Sequence, residues 1–247
     1  MKQVYALIIP ALAVLLLAGC GKKAEEDEMQ MHSGTPVSER LAMYAGVDIE
    51  VDLSGLTERQ RALIGKLIEA GRLADEIFWL QSSHDAVAVR DSLLLAGGME
   101  NDVLKYVMIN YGPYDRLLEG ERFVGEGPMQ KPAGAAFYPA DMTKQEFESW
   151  VTAHPHQKTA FQSQYTVIER EGDNLIAVPY HLKYPQVARI AVLLEEAADL
   201  ADNPSLKAYL QLRAKAVATD QYYESDMAWM DLRDNDIDVV IGPVENY

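Results

Sequence analysis

Hydrophobic positions fall into two regimes along this chain. Leu63, Ile64, Leu67, Ile68, Ala70, Leu73, Ala74, Ile77, Phe78 and Leu80 recur at helical spacing. They follow Thr57-Glu58-Arg59-Gln60, which has the form of a capping box, so a long amphipathic helix is expected to end near Ser82 and Ser83. Ala86 to Ala96 reads as a second helix stopped by Gly97-Gly98, and Asn101 to Met108 as a third. Thr143-Lys144-Gln145-Glu146 opens another through Phe147, Trp150 and Val151 towards Pro155. Tyr165, Val167 and Ile168, then Glu171-Gly172-Asp173-Asn174, then Leu175, Ile176 and Val178, form the clearest hairpin signal. Val187 to Leu200 is helical. Asn203-Pro204 starts a helix to about Ala218 with a cap and a proline in its first turn. Ser225 to Leu232 is a short amphipathic piece, and Ile237, Val239, Val240 and Ile241 read as a buried strand.

The other regime is INYGPYDRLLEGERFVGEGPMQKPAGAAFYPADMTKQEFESW, Ile109 to Trp150. Glycine, proline and aromatics crowd it, and no period emerges until its last dozen residues. Its glycines and prolines suit an ordered path that regular structure cannot take, with a packing-only surface loop as the plainer alternative. Together these elements predict an α+β fold, mainly helical with a small antiparallel or mixed β component.

The first residues, MKQVYALIIPALAVLLLAGC, change the picture of where the chain resides. Val4 to Leu17 is apolar but shorter than the ~20 residues a bilayer span needs, which marks an export signal rather than a span. Leu17-Ala18-Gly19-Cys20 resembles a bacterial lipobox, with Cys20 as the lipidated residue, the membrane as its partner and an anchored, exported lipoprotein as the result. Gly21 in place of an aspartate favours the outer membrane if the source is Gram-negative. An ordinary signal peptide with a chance cysteine is the competing reading. Residues 21–40 are polar and carry the Glu25 to Glu28 acidic cluster, so they read as a flexible tether that anionic lipid would repel. Residues 41–247 are then the globular part. Cys20 is the only cysteine, so no internal disulfide is available.

Charge excludes one class of partner. Lys plus Arg number 22 against 38 for Asp plus Glu, a formal charge of −16, which repels nucleic acid. A search for chemistry is as spare. None of His32, His84, His154, His156 and His181 precedes a glutamate, so no His-Glu-x-x-His zinc helix is present. His154-Pro155-His156 is the only close pair, and it reads as a turn at a helix end rather than a metal site. No nucleophile elbow, P-loop or dinucleotide glycine fingerprint occurs. Glu195 and Glu196 are adjacent on a helix, point apart and read as a solvated face. Tyr222, Tyr223, Met227, Trp229 and Met230 could line a pocket, but such clusters are more often core. The residues offer no complete catalytic set.

Asn110-Tyr111-Gly112-Pro113-Tyr114-Asp115-Arg116-Leu117 and Lys131-Pro132-Ala133-Gly134-Ala135-Ala136-Phe137-Tyr138-Pro139-Ala140-Asp141-Met142 resemble the N-terminal portion of bacterial dipeptidyl peptidase III-type zinc metallopeptidases. So do Tyr165 to Ile168 with Pro179-Tyr180, Ser225-Asp226, Trp229-Met230-Asp231, and Ile241-Gly242-Pro243-Val244-Glu245. A related region occurs in the C-terminal part of some plant nudix hydrolases. The resemblance implies part of a two-lobed peptide-cleaving fold whose zinc, held by His-Glu-x-x-Gly-His, activates water. That motif is not in this chain, so zinc is expected of the full-length family and none of this chain alone. The family's transition-state tyrosine aligns best with Val240, which has no hydroxyl. Glu245, Asn246 and Tyr247 fall near the turn that lines the peptide cleft and are the candidate substrate contacts. Two alternatives stand beside the peptidase reading: a non-catalytic lipoprotein that binds a peptide or partner, and another hydrolase on the same scaffold. The Gly-Pro soon after the terminal apolar run suggests the front part of something longer.

Overall fold

The computed structural model describes residues 34–242. Its helices are α1 (Val37–Leu41), α2 (Glu58–Ser82), α3 (Ala86–Gly97), α4 (Asp102–Asn110), α5 (Lys144–Ala153), α6 (Lys158–Phe161), α7 (Tyr180–Lys183), α8 (Gln186–Leu200), α9 (Pro204–Thr219) and α10 (Tyr223–Met230). Strands β1 (Tyr114–Asp115) and β2 (Glu121–Arg122) form one antiparallel pair, and β3 (Thr166–Glu171) and β4 (Asn174–Pro179) another. The fold is mainly helical with small antiparallel strand pairs.

Sequence decides where the helices start. At α2 the Thr57 hydroxyl accepts from the Gln60 N–H while the Gln60 side chain accepts from the Thr57 N–H, a complete capping box. Asn101 caps α4 through the N–H groups of Val103 and Leu104, and Asn203 caps α9 through those of Ser205 and Leu206. At α5 Thr143 accepts from the Glu146 N–H, while the Glu146 carboxylate turns to Arg170 at 2.7 Å.

The main core lies where α2, α8 and α9 pack. Leu63, Ala70 and Ile77, spaced by seven, come from α2; Val187, Ile190, Leu194, Ala197 and Ala198 from α8; Leu206, Tyr209, Leu210, Ala214 and Val217 from α9. Each fully buried leucine or isoleucine contributes about 1.5–3 kcal/mol, and the alanines let backbones approach closely. Tyr180, Tyr184 and Tyr222 extend this core towards the hairpin, with the Tyr165 ring tilted against that of Tyr222 at 4.9 Å. Burial disfavours their phenolates, pushing Tyr180 and Tyr222 well above the ordinary tyrosine range and Tyr184 up to about 12. The hairpin pairs Glu171 with Asn174, leaving Gly172-Asp173 as a two-residue turn with φ +61° at the glycine, the position where a type II′ turn takes glycine.

Three expectations change. The terminal apolar run forms no strand: Ile237 and Ile241 are buried, Val240 is 72% exposed, and the segment docks on α9 through the Tyr209 hydroxyl donating to the Val239 carbonyl at 2.8 Å. A strand needs a neighbour to share backbone bonds, and here side chains of α9 supply the contacts instead. The tether, drawn to residue 40, gives way to structure sooner, because α1 is formed and Arg40 is buried against Asp115 at 2.8 Å. Only Tyr222 of the Tyr222–Met230 cluster is core. Tyr223, Met227, Trp229 and Met230 are exposed, since α10 lays just one face on α9. Cys20, the signal segment and Glu245, Asn246 and Tyr247 lie outside the described residues.

Candidate binding cleft

The Ile109–Trp150 segment is ordered by two buried charges. Asp115 is fully buried and accepts from the Arg40 guanidinium at 2.8 Å, the Tyr106 hydroxyl at 2.9 Å and the N–H groups of Leu117 and Leu118. Its proximity and burial raise the Tyr106 phenol well above the ordinary range, desolvation first. Arg122 lies over the Tyr114 ring at 4.5 Å and donates to Asp85, to the Tyr114 hydroxyl and to the carbonyls of Val124 and Pro128. A carboxylate or guanidinium leaves water at a cost of several kcal/mol unless its hydrogen-bonding groups are met, and these two are. Gly127, at φ +143°, passes so near that an added Cβ would sit 2.7 Å from an Arg122 nitrogen.

The segment enters at Tyr111, which ends α4 in the left-handed region with φ 54°. Its ring packs edge-on to Phe78 at 4.5 Å and against Trp79 at 5.0 Å, and its hydroxyl donates to Asp75 at 2.6 Å. That bond, with burial second, pushes the phenol up to about 12. The Ser82 hydroxyl donates to the Tyr111 carbonyl, fastening the end of α2 to the end of α4. Further on, the Ala136 N–H donates to the Gln81 carbonyl and the Phe137 carbonyl accepts from Ile168 of β3. Residues 136–137 therefore bridge the long helix and the hairpin.

Cavities flank this bridge. One, of about 510 Å³, is lined by Ser82, Ser83, Tyr111, Arg116, Glu119 and Lys131, with Pro132, Ala133 and Ala135 as an apolar wall. Another, of about 420 Å³, lies between Ala133, Tyr138, Met142 and Phe147. A third, of about 530 Å³, holds His84, Glu169, Arg170, Lys183 and Tyr184. The first has a size typical of small-molecule sites.

The histidines are dispersed into separate duties. His181 meets Asp220 at 2.7 Å, His154 meets the Trp150 carbonyl and stacks on the Trp150 ring, and His84 meets the Tyr138 carbonyl. The His154-Pro155-His156 pair forms the turn at the end of α5. Glu196 pairs with Lys66 at 2.8 Å across to α2. The His181–Asp220 pair has the base-and-orienter form of acid–base catalysis, yet among the described residues no hydroxyl or thiol is bonded to the far ring nitrogen.

No family model matches the chain. Among solved structures it aligns with dipeptidyl peptidase III from Caldithrix abyssi at 44% identity and a TM-score of 0.75, covering 80% of this chain and 38% of that one. The dipeptidyl-peptidase III of Corallococcus sp. strain EGB gives 31% identity and a TM-score of 0.74, over 80% and 37%. The chain corresponds to a partial N-terminal region of a dipeptidyl peptidase III-type protein. Among curated proteins, Nudix hydrolase 3 of Arabidopsis thaliana is 31% identical over 263 aligned positions, covering 85% of this chain and 34% of the plant protein. The chain thus spans little more than a third of each relative's length. Set against the zinc expected of dipeptidyl peptidase III-type proteins, the residues present do not fit. Among the described residues no three His, Cys, Asp or Glu side chains gather as a ligand set, and zinc needs three protein ligands even with one position open to water.

Proposed function

We propose that this chain serves as a binding framework of a dipeptidyl peptidase III-type protein, contributing shape and peptide contacts rather than the hydrolytic centre. The carrying observation is the 44% identity to the Caldithrix abyssi protein at a TM-score of 0.75 over four-fifths of the chain. Within the chain, the buried Asp115 and Arg122 networks fix the aperiodic Ile109–Trp150 segment on a path no helix would take. The dispersal of the histidines favours binding over catalysis for this chain by itself. What the chain's own residues do is hold backbone: Asp115 and Arg122 set the segment, and residues 136–137 tie it to α2 and β3. Export and anchoring through a lipidated Cys20 belong to the same proposal and rest on the Leu17-Ala18-Gly19-Cys20 pattern.

Elemental analysis of the purified chain is expected to find far less than one zinc per molecule, and no dipeptide release from oligopeptides. One tightly held zinc with chelator-sensitive cleavage would overturn the framework reading. For the anchor, growth with radiolabelled fatty acid is expected to mark the wild type and not Cys20→Ser; equal labelling of both rejects it.

A further inference from the structure

Two cations, Arg116 and Lys131, line the 510 Å³ cleft, and among the described residues neither is in an ion pair with a carboxylate. Arg116 is positioned from its backbone, whose N–H donates to the Asn110 side-chain oxygen at 2.9 Å. Its guanidinium lies above the Phe78 ring at 5.8 Å and the Tyr111 ring at 5.9 Å. Lys131 is positioned likewise: its N–H donates to the Gly120 carbonyl at 2.9 Å, and a Cβ on Gly120, at φ +82°, would stand 3.1 Å from the Lys131 Cβ. Burial and then the Arg116 charge hold the Lys131 ammonium below the usual lysine range. Two like charges brought together in a partly dry cleft repel one another, and an anion between them reverses that sign. The chain is strongly acidic, yet Glu119 on the cleft wall is in no ion pair among the described residues.

The remaining features select among anions. The cleft is several times larger than a bare oxyanion, and Pro132, Ala133 and Ala135 give it an apolar side. Glu119 adds a negative charge to the lining, which disfavours a doubly charged ligand. A guanidinium resting on aromatic rings presents a planar fork suited to a planar carboxylate. We propose that the Arg116–Lys131 cleft binds the carboxylate of a small organic acid whose apolar body lies along Pro132, Ala133 and Ala135. This site stands on its own side chains and does not depend on the peptidase reading, because its test reads binding alone.

The probe is N-acetyl-leucine, compared by titration calorimetry with its uncharged amide and with inorganic phosphate. The acid is expected to saturate with a dissociation constant on the order of 1 mM or tighter. The amide should bind at least about tenfold more weakly, as should the acid to Arg116→Gln or Lys131→Met, the size expected for losing a charge-assisted hydrogen bond. Both variants are expected to melt cooperatively at or above the wild-type temperature, since each relieves a repulsion. Equal binding of acid and amide, wild-type affinity in both variants, or absence of saturation refutes the site. Tighter binding of phosphate than of the acid refutes the carboxylate assignment.

Discussion

The α2–α8–α9 contact and the segment from Ile109 to Lys131 are both well packed, but one is held by aliphatic side chains and alanines and the other by buried ions. Apolar burial is non-directional and tolerates adjustment, so helices can slide by fractions of an ångström and keep most of their stabilisation. A buried carboxylate such as Asp115 is directional and unforgiving. It holds four donors at 2.8 to 3.2 Å and is itself fully buried, so a donor lost leaves the charge short of a partner. Charge in the interior therefore does here what periodicity does in the helices: it leaves one path for the backbone.

Asp115→Ala probes the ionic region most directly. Removing one partner of a buried pair takes the carboxylate away from both the Arg40 guanidinium and the Tyr106 hydroxyl, and a loss of about 3–5 kcal/mol is expected. Hydrogen exchange should show the opening concentrated in α1, the end of α4 and residues 114–122, ahead of α8 and α9. An opening spread evenly over both regions would erase the distinction. Leu194→Ala, in the aliphatic region, is expected to cost about 2–5 kcal/mol and to lower the urea midpoint of every probe together.

The smallest effect concerns Arg170, which holds the Asp141 and Glu146 carboxyls below the ordinary carboxylate range by direct hydrogen bonds. Because folding depresses these carboxyls, their contribution is present above the unfolded carboxylate range, roughly pH 4, and is lost as pH falls through the lowered values. Arg170→Ala should thus lower the melting temperature slightly at pH 7 and hardly at all near pH 2. An equal deficit at both values would mean that Arg170 acts by packing and not by charge.

Much of the helical region was legible in the sequence because burial against a neighbour imposes a period, and because Thr57, Asn101 and Asn203 announce helix starts with their own side chains. The aperiodic segment was legible only as ordered. Its determinants are single residues at long separations: Asp115 meets Arg40 across 75 positions and Arg122 meets Asp85 across 37. No local pattern carries such pairings, and the convergence of Arg116 with Lys131 is equally silent in one dimension. Ile237 to Ile241 misled for the opposite reason. A run rich in β-branched residues resembles a strand whether or not a partner strand exists, and here Tyr209 alone takes the Val239 carbonyl.

At Tyr111 mutation meets a fork. Glycine there would relieve a left-handed backbone that costs other residues roughly 1–2 kcal/mol, but it would withdraw the ring from Phe78 and Trp79 and the hydroxyl from Asp75. An aliphatic residue would keep the backbone penalty and lose the ring as well. Neither step keeps all that this tyrosine supplies, so a descendant that took one would have to make good the lost aromatic and hydroxyl contacts elsewhere.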